Sequence, residues 1–446
     1  MRSWTAIGTT IMTALFGLMF ASSAPQSPVA RSVDEDVLRE YAGVYQWDAN
    51  AFSYLQMWNE LTGKNQLVAF DESGDVRTLY PTDRDRFFAG PGAAVPASIE
   101  SRIEFQRDAA GKIASLTWQR DGAPSRIARH VEIERHEDVR FSNSEIQLAG
   151  TLIAPSTGGK HPAIILVHGS GPQTRESMLP FARFLVRHGM AVLGYDKRGV
   201  GGSTGDWKAA SFDDLASDVV AAFEYLKTRS DIDSGQIGLL GVSQAGWIMP
   251  LAAVRAKGMA FLISISGAGV PAAETVVDHA RNEMTASGMP AQTVEQIVGL
   301  MKLQYEFVRT GQGWDEYLAT RQRLGAQRSP DLFPATPDHP HWQEIRRSYL
   351  YDPAPTLRQL EVPTLALFGE LDNNILAEKN KTAWEAALKA GGNRDFSLQI
   401  LPKANHIHLE AKIGSNAEMA SLQRFVPAYF TAIHDWLARR IRGFAP

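Results

Sequence analysis

The sequence predicts an α/β fold in which a mostly parallel central sheet lies under a helical cap and follows a small β-rich domain. Three observations carry this. From about residue 140 onward, short uninterrupted apolar runs alternate with helical runs, as strands buried on both faces between covering helices require. Residues 33–136 instead show short runs, several alternating apolar and polar, with turn signals between them. Residues 270–355 carry helical periodicity where a compact sheet needs only a short connection, so they read as a cap over the carboxyl edge of the sheet.

In the β-rich part, Phe52 to Trp58 is an aromatic-rich run of strand type. Ile103-Glu104-Phe105-Gln106 and Ile113 to Trp118 alternate on either side of Asp108-Ala109-Ala110-Gly111, a hairpin signature. Short strands joined this way suggest a small antiparallel barrel or sandwich. Farther on, the strands are Ala163–Val167, Ala191–Tyr195, Ile237–Leu240, Phe261–Ile265, Thr364–Phe368 and Ser397–Leu401. Helices are predicted over Met178–Arg187, with Leu179, Phe181, Leu185 and Val186 on one side, and over Phe212–Lys227, with Leu215, Val219, Ala222 and Leu226 recurring at helical spacing. Within the cap, Val294–Val308 and Trp314–Leu324 are helical runs, and Pro330, Pro334, Pro337 and Pro340 punctuate its end.

The chain has 446 residues, more than most single cores hold, and its 44% hydrophobic and 21% charged residues are ordinary for a globular protein. A formal charge of −4 offers nothing to a polyanion, so no nucleic-acid partner is expected. With no cysteine, disulfides, thiol nucleophiles and thiolate metal sites are excluded. Arg2, the apolar run Ala6–Phe20 and the small residues Ala21-Ser22-Ser23 form a secretory signal pattern. Cleavage after Ser23 would leave an exported chain, periplasmic or secreted, with no stable membrane span. An uncleaved N-terminal anchor is the alternative.

Two serines sit in glycine-flanked turns, Gly201-Gly202-Ser203-Thr204-Gly205 and Gly241-Val242-Ser243-Gln244-Ala245. A nucleophilic serine needs a strand before it and a helix after it, so that a strained turn projects its hydroxyl. Ser243 has both; Ser203 lies among loop residues. Ala245 replaces the second glycine of the usual pattern, with Gly246 following. For an acyl-transfer serine, the oxyanion hole would draw on the Gln244 N–H and on a second N–H from His168-Gly169-Ser170-Gly171-Pro172, assigned to Ser170 with Gly169 as the alternative. His168 precedes the serine, which is the wrong order for the base in a fold with this strand–turn–helix nucleophile. The acid is expected after the strand Thr364–Phe368, where Asp372 is preferred to Glu370. The base is expected after the next strand, where His406 is preferred to His408. Those two histidines lack a further carboxylate or cysteine at metal spacing, so no metal or other cofactor is expected.

These motifs, taken in order with Tyr195-Asp196-Lys197-Arg198-Gly199-Val200-Gly201 and Gly369-Glu370-Leu371-Asp372, resemble the α/β-hydrolase superfamily over residues 140–446. Within it they resemble exported bacterial hydrolases related to dienelactone hydrolase and to prolyl-oligopeptidase catalytic domains. Residues 33–136 resemble the lipocalin-like accessory domain that some bacterial serine hydrolases carry. The resemblance implies a catalytic triad of Ser243, Asp372 and His406. It also implies that Asp196 and Arg198 form an ion pair beside the oxyanion hole, the alternative being that Arg198 receives a substrate carboxylate. The expected reaction is hydrolysis of a carboxylic ester of modest size, because an enclosed pocket favours small apolar acyl groups. Peptide and acyl-thioester hydrolysis are the enzymatic alternatives. A non-catalytic binding protein would have no reason to keep all three groups.

Overall fold

The structure, a computed structural model, describes residues 30–444 apart from Glu60 and Leu179, so the N-terminal segment expected to be an export signal lies outside the described residues. Nine antiparallel strands form the first sheet: β1 (Gly43–Asp48), β2 (Ala51–Trp58), β3 (Gln66–Asp71), β4 (Val76–Thr78), β5 (Tyr80–Asp83), β6 (Arg86–Ala89), β7 (Ser101–Arg107), β8 (Ile113–Arg120) and β9 (Arg126–Val131). Their spatial order is β4-β3-β2-β1-β9-β8-β7-β6-β5. Only Leu79 separates β4 from β5, yet they are opposite edges, so the sheet must curl back on itself. The hairpin expected at residues 103–118 is β7–β8, with Phe105 opposite Leu116, and Asp108 accepting the amides of Ala110 and Lys112.

Tyr45, Leu55, Leu67, Phe105 and Leu116 fill the curled sheet. The alternate residues Val44, Tyr54, Trp58, Val68 and Phe70 face outward and are equally buried, because that face docks on the rest of the chain. Double burial is why Phe52–Trp58 is rich in aromatic and apolar residues without regular alternation.

The second sheet has the order β10-β11-β13-β12-β14-β15-β16-β17. β10 (Glu134–Asn143) and β11 (Ile146–Pro155) are an antiparallel hairpin that the apolar pattern did not reveal. Residues 134–136, counted above with the β-rich segment, belong to β10. β12 (His161–Val167), β13 (Ala191–Tyr195), β14 (Ile232–Val242), β15 (Leu262–Ile265), β16 (Thr364–Gly369) and β17 (Phe396–Leu401) run parallel. Side chains alternate between two cores. Ile165, Val167 and Leu239 meet the helices Phe212–Lys227 and Ala245–Arg255, while Ile164, Leu166 and Leu240 meet Phe184 and the helix Ala428–Ala438.

Between β15 and β16 the chain forms the helices Ala272–Ala286, Ala291–Thr310, Trp314–Arg323 and Pro340–Glu344 around a core of their own, including Val298, Met301, Tyr317 and Trp342. The first of these helices, unnamed in the sequence reading, lies over the loop that follows β16.

The segment after β17 joins the two sheets. The Phe425 amide donates to Gly74 O at 2.7 Å and the Val76 amide to Gln423 O at 3.1 Å, while Phe425 packs on Phe70 and Trp58. A Cβ on Gly414 would collide with Leu371 O, so this segment also presses on the loop after β16. This segment therefore bridges the curled sheet and the loop after β16.

Candidate active site

Ser243 closes β14 and opens the helix Ala245–Arg255 with φ +59°, a left-handed conformation that few non-glycine residues adopt. The surroundings enforce it. The Ser243 amide donates to Ile265 O at 2.9 Å, and the Gly246 amide turns back to Ser243 O at 2.8 Å. Close approach explains the flanking small residues. A Cβ on Gly241 would stand 2.4 Å from Ala245 Cβ, and one on Gly246 would stand 2.4 Å from Gly267 Cα. Gly246, rather than Ala245, thus makes the tight backbone crossing.

Gly169 lies against the nucleophile turn, since a Cβ there would be 3.7 Å from Ser243 Cβ and 3.2 Å from Val242 O. Among the described residues nothing accepts from the backbone N–H of Gln244 or of Ser170. These two amides, one next to the half-buried Ser243 in the chain and one next to Gly169, remain open to an acceptor from outside the chain.

Asp372 and His406 follow the C-terminal ends of β16 and β17, on the same sheet edge as Ser243. His406 Nδ1 lies 2.9 Å and 3.1 Å from the two Asp372 oxygens. With Nδ1–H donating to the carboxylate, Nε2 of the neutral ring is the acceptor. Asp372 is fully buried. Burial would raise its carboxyl, but the His406 charge and hydrogen bond, with the amides of Ile375 and Asn374 at 2.9 Å and 2.8 Å, hold it below the ordinary value. Asn405 shapes the histidine loop, its Oδ1 accepting the amides of Ile407 and Leu409.

The competing residues have other partners. Glu370 is exposed and accepts the Lys403 amide at 2.8 Å. Ser203 is buried, its hydroxyl donating to Asp196 O and accepting from the Ala149 amide. His168 bonds Tyr195 O; burial first, then the Lys197 charge, pushes it down to about 3. His408 meets Ser266 Oγ at 3.2 Å, and burial pushes it likewise to about 3. His406 and His408 face different partners, and among the described residues no three His, Asp or Glu side chains converge as metal ligands.

One expectation is overturned. Asp196 and Arg198 do not pair. Asp196 accepts from Arg175 at 3.0 Å and from the Gly202 amide at 2.8 Å, whereas Arg198 binds Asp218 at 2.7 Å and 2.8 Å. Each thus ties a different neighbour to the turn after β13. With Asp218 filling its guanidinium and only 9% of the residue exposed, Arg198 is not placed to receive a substrate carboxylate.

The cap adds groups that sequence reasoning missed. His279, Asn282 and Glu283 share one face of the helix Ala272–Ala286 at the i, i+3, i+4 spacing, the signal that could have marked them. Asn282 donates to Asn373 O at 3.0 Å. Burial lowers the pKa of His279, and the His406 charge adds to this. A cavity of about 500 Å³ between Trp47, Trp118, Arg77 and Arg424 includes none of these residues.

The strained serine turn and the His–Asp pair, on one edge of a mostly parallel sheet, define a serine hydrolase of the α/β-hydrolase class. The chain matches the X-Pro dipeptidyl-peptidase (S15 family) over residues 144–408, more than half its length, and belongs to that family. It is 24% identical over 374 residues to esterase EstD of Thermotoga maritima, covering 81% of this chain and 80% of that one. It is 28% identical over 128 residues to the quorum-quenching protein AidA of Acinetobacter baumannii, 28% of this chain and 42% of the relative. A Pyrococcus furiosus esterase structure aligns at TM-score 0.44 and 16% identity over 69% of this chain and 92% of its own. Among the described residues no helix is long and apolar enough to cross a membrane.

Proposed function

We propose that the protein is an exported esterase working through a Ser243–His406–Asp372 triad. The observation that carries this is the left-handed Ser243 on the sheet edge that also presents the His406–Asp372 pair at 2.9 Å. Ser243 Oγ attacks the ester carbonyl carbon as His406 Nε2 takes its proton. The amides of Gln244 and Ser170 receive the oxyanion. His406 returns the proton to the leaving alcohol, then deprotonates the water that releases the acid and restores the serine. Asp372 keeps Nδ1 protonated and stabilises the imidazolium.

An ester of modest size is favoured by the cap, whose helix Ala272–Ala286 reaches the acid loop through Asn282. It is also supported by the esterase relative, whose 81% coverage of this chain exceeds what residues 140–446 could supply and so takes in part of the curled sheet. The family match to dipeptidyl-peptidases supports peptide cleavage as the second reading.

The test compares kcat/KM for p-nitrophenyl esters of graded acyl length with that for Gly-Pro-p-nitroanilide, alongside fluorophosphonate labelling. Short esters should be the best substrates. Each added methylene gains up to ~0.8 kcal/mol while it can be buried and loses once the cap excludes it, so the profile rises and then falls. Ser243→Ala should abolish labelling and Ser203→Ala should leave it. Faster cleavage of the anilide would replace the ester reading by the peptidase one, and labelling that survives Ser243→Ala would remove the triad.

A further inference from the structure

We infer that Lys197 is a positioning residue for the oxyanion hole, its buried ammonium polarising the Gly169–Ser170 peptide so that the Ser170 N–H is aimed and strengthened as a donor. This deepens the proposed reaction and rests on Ser243 being the nucleophile.

The geometry is specific. Lys197 is 2% exposed, and no carboxylate pairs with it among the described residues. Its Nζ donates to Gly169 O at 2.6 Å, to Gly171 O at 3.0 Å and to Gln244 Oε1 at 3.4 Å, which occupies all three of its protons. In a planar trans peptide the C=O and the following N–H point in opposite directions. A Gly169 carbonyl drawn toward Lys197 therefore turns the Ser170 N–H away from it, and that N–H has no acceptor among the described residues. The other carbonyl, Gly171 O, precedes Pro172, which has no N–H to orient. The third acceptor is the side chain of Gln244, whose own backbone supplies the other oxyanion donor. One cation thus ties together both halves of the hole.

Packing alone would not select a lysine here. An apolar side chain would fill the same volume without the cost of burying a charge, and burial does push this ammonium down to about 7. A charge placed on one peptide carbonyl withdraws electrons through the amide and makes its N–H a stronger donor, which matters most when negative charge develops on the substrate oxygen.

The test is Lys197→Met in the full chain. It is assayed on the best short p-nitrophenyl ester and with a trifluoromethyl ketone, whose tetrahedral adduct carries the oxyanion. Losing a whole oxyanion donor costs ~10²–10³ in kcat, so weakening one should cost about 10–100-fold, with KM changed less than about threefold and ketone affinity falling by the same factor as kcat. Should Lys197→Met fail to fold, Lys197→Gln, which keeps two N–H donors without the charge, reads the same quantity with a smaller loss. Unchanged kcat and ketone affinity in a folded variant would overturn the inference. So would a loss confined to KM or to thermal stability. Turnover that survives Ser243→Ala would instead sink the underlying nucleophile assignment, an outcome separable from the behaviour of Lys197.

Discussion

Replacing His408 by asparagine should make the protein less sensitive to acid, by an amount the structure sets. Burial pushes the ring from its ordinary 6.5 to about 3; Nε2 meets Ser266 Oγ, and among the described residues Nδ1 has no partner. A protonated ring would need partners at both nitrogens, so the folded protein holds it neutral. A histidine whose folded-state value is depressed takes its proton mainly in the unfolded chain. Its contribution to stability is intact above pH 6.5 and drains away as pH falls toward 3. At pH 5, which is 1.5 units below the unfolded value, the loss is about 2 kcal/mol and hardly depends on where the folded value lies, provided that it is well under 5. Against a typical total of ~5–15 kcal/mol this is measurable. Asparagine tolerates the local φ of +64° and cannot titrate. Guanidinium unfolding at pH 7 and pH 5 should show the parent losing about 2 kcal/mol more than His408→Asn over that interval. His168, held at about 3, and Asp372, held below its ordinary value, add acid lability in the same direction to both proteins, so the difference isolates residue 408. Equal losses in the two proteins would refute the claim that His408 is buried neutral.

Asp372→Asn should preserve the fold but present the wrong partner to His406 Nδ1, lowering kcat by about 10⁴, whereas Glu370→Gln, altering only an exposed cap on the Lys403 amide, should change it little. A crippling Glu370→Gln with a mild Asp372→Asn would reverse the acid assignment. Asp218→Asn leaves Arg198 buried without its carboxylate and should cost about 3–5 kcal/mol of unfolding free energy by denaturant titration. A cost under about 1 kcal/mol would mean that the pair is solvated like a surface bridge.

Much of the candidate site was legible because its signals are local. Strand Ile237–Leu240, the glycines around Ser243 and the helical start at Ala245 are contiguous, and together they specify a strand–turn–helix that strains one serine. Asp372 and His406 were legible for a related reason. Each follows an apolar run by a few residues, and parallel strands place such positions on one edge. The hairpin β10–β11 escaped notice because β10 alternates with many charged residues and shows no apolar run. The helix Ala272–Ala286 escaped notice because its polar face turns inward onto the acid loop, which weakens the amphipathic signal.

By itself the sequence determined the parallel strands from Ala163 to Leu401, the serine that turns, and the carboxylate and imidazole that pair beyond it, since each depends on side-chain period or backbone freedom within a dozen residues. Tertiary structure decided which charges pair. Asp196 and Arg198 are two residues apart, yet one reaches Arg175 and the other Asp218. It also decided that Lys197 spends its charge on the Gly169 carbonyl and that Gly74 meets Phe425 across most of the chain. Such partners are chosen by which surfaces the packed sheets bring within about 3 Å, a hydrogen-bond distance that leaves no periodic trace along the chain.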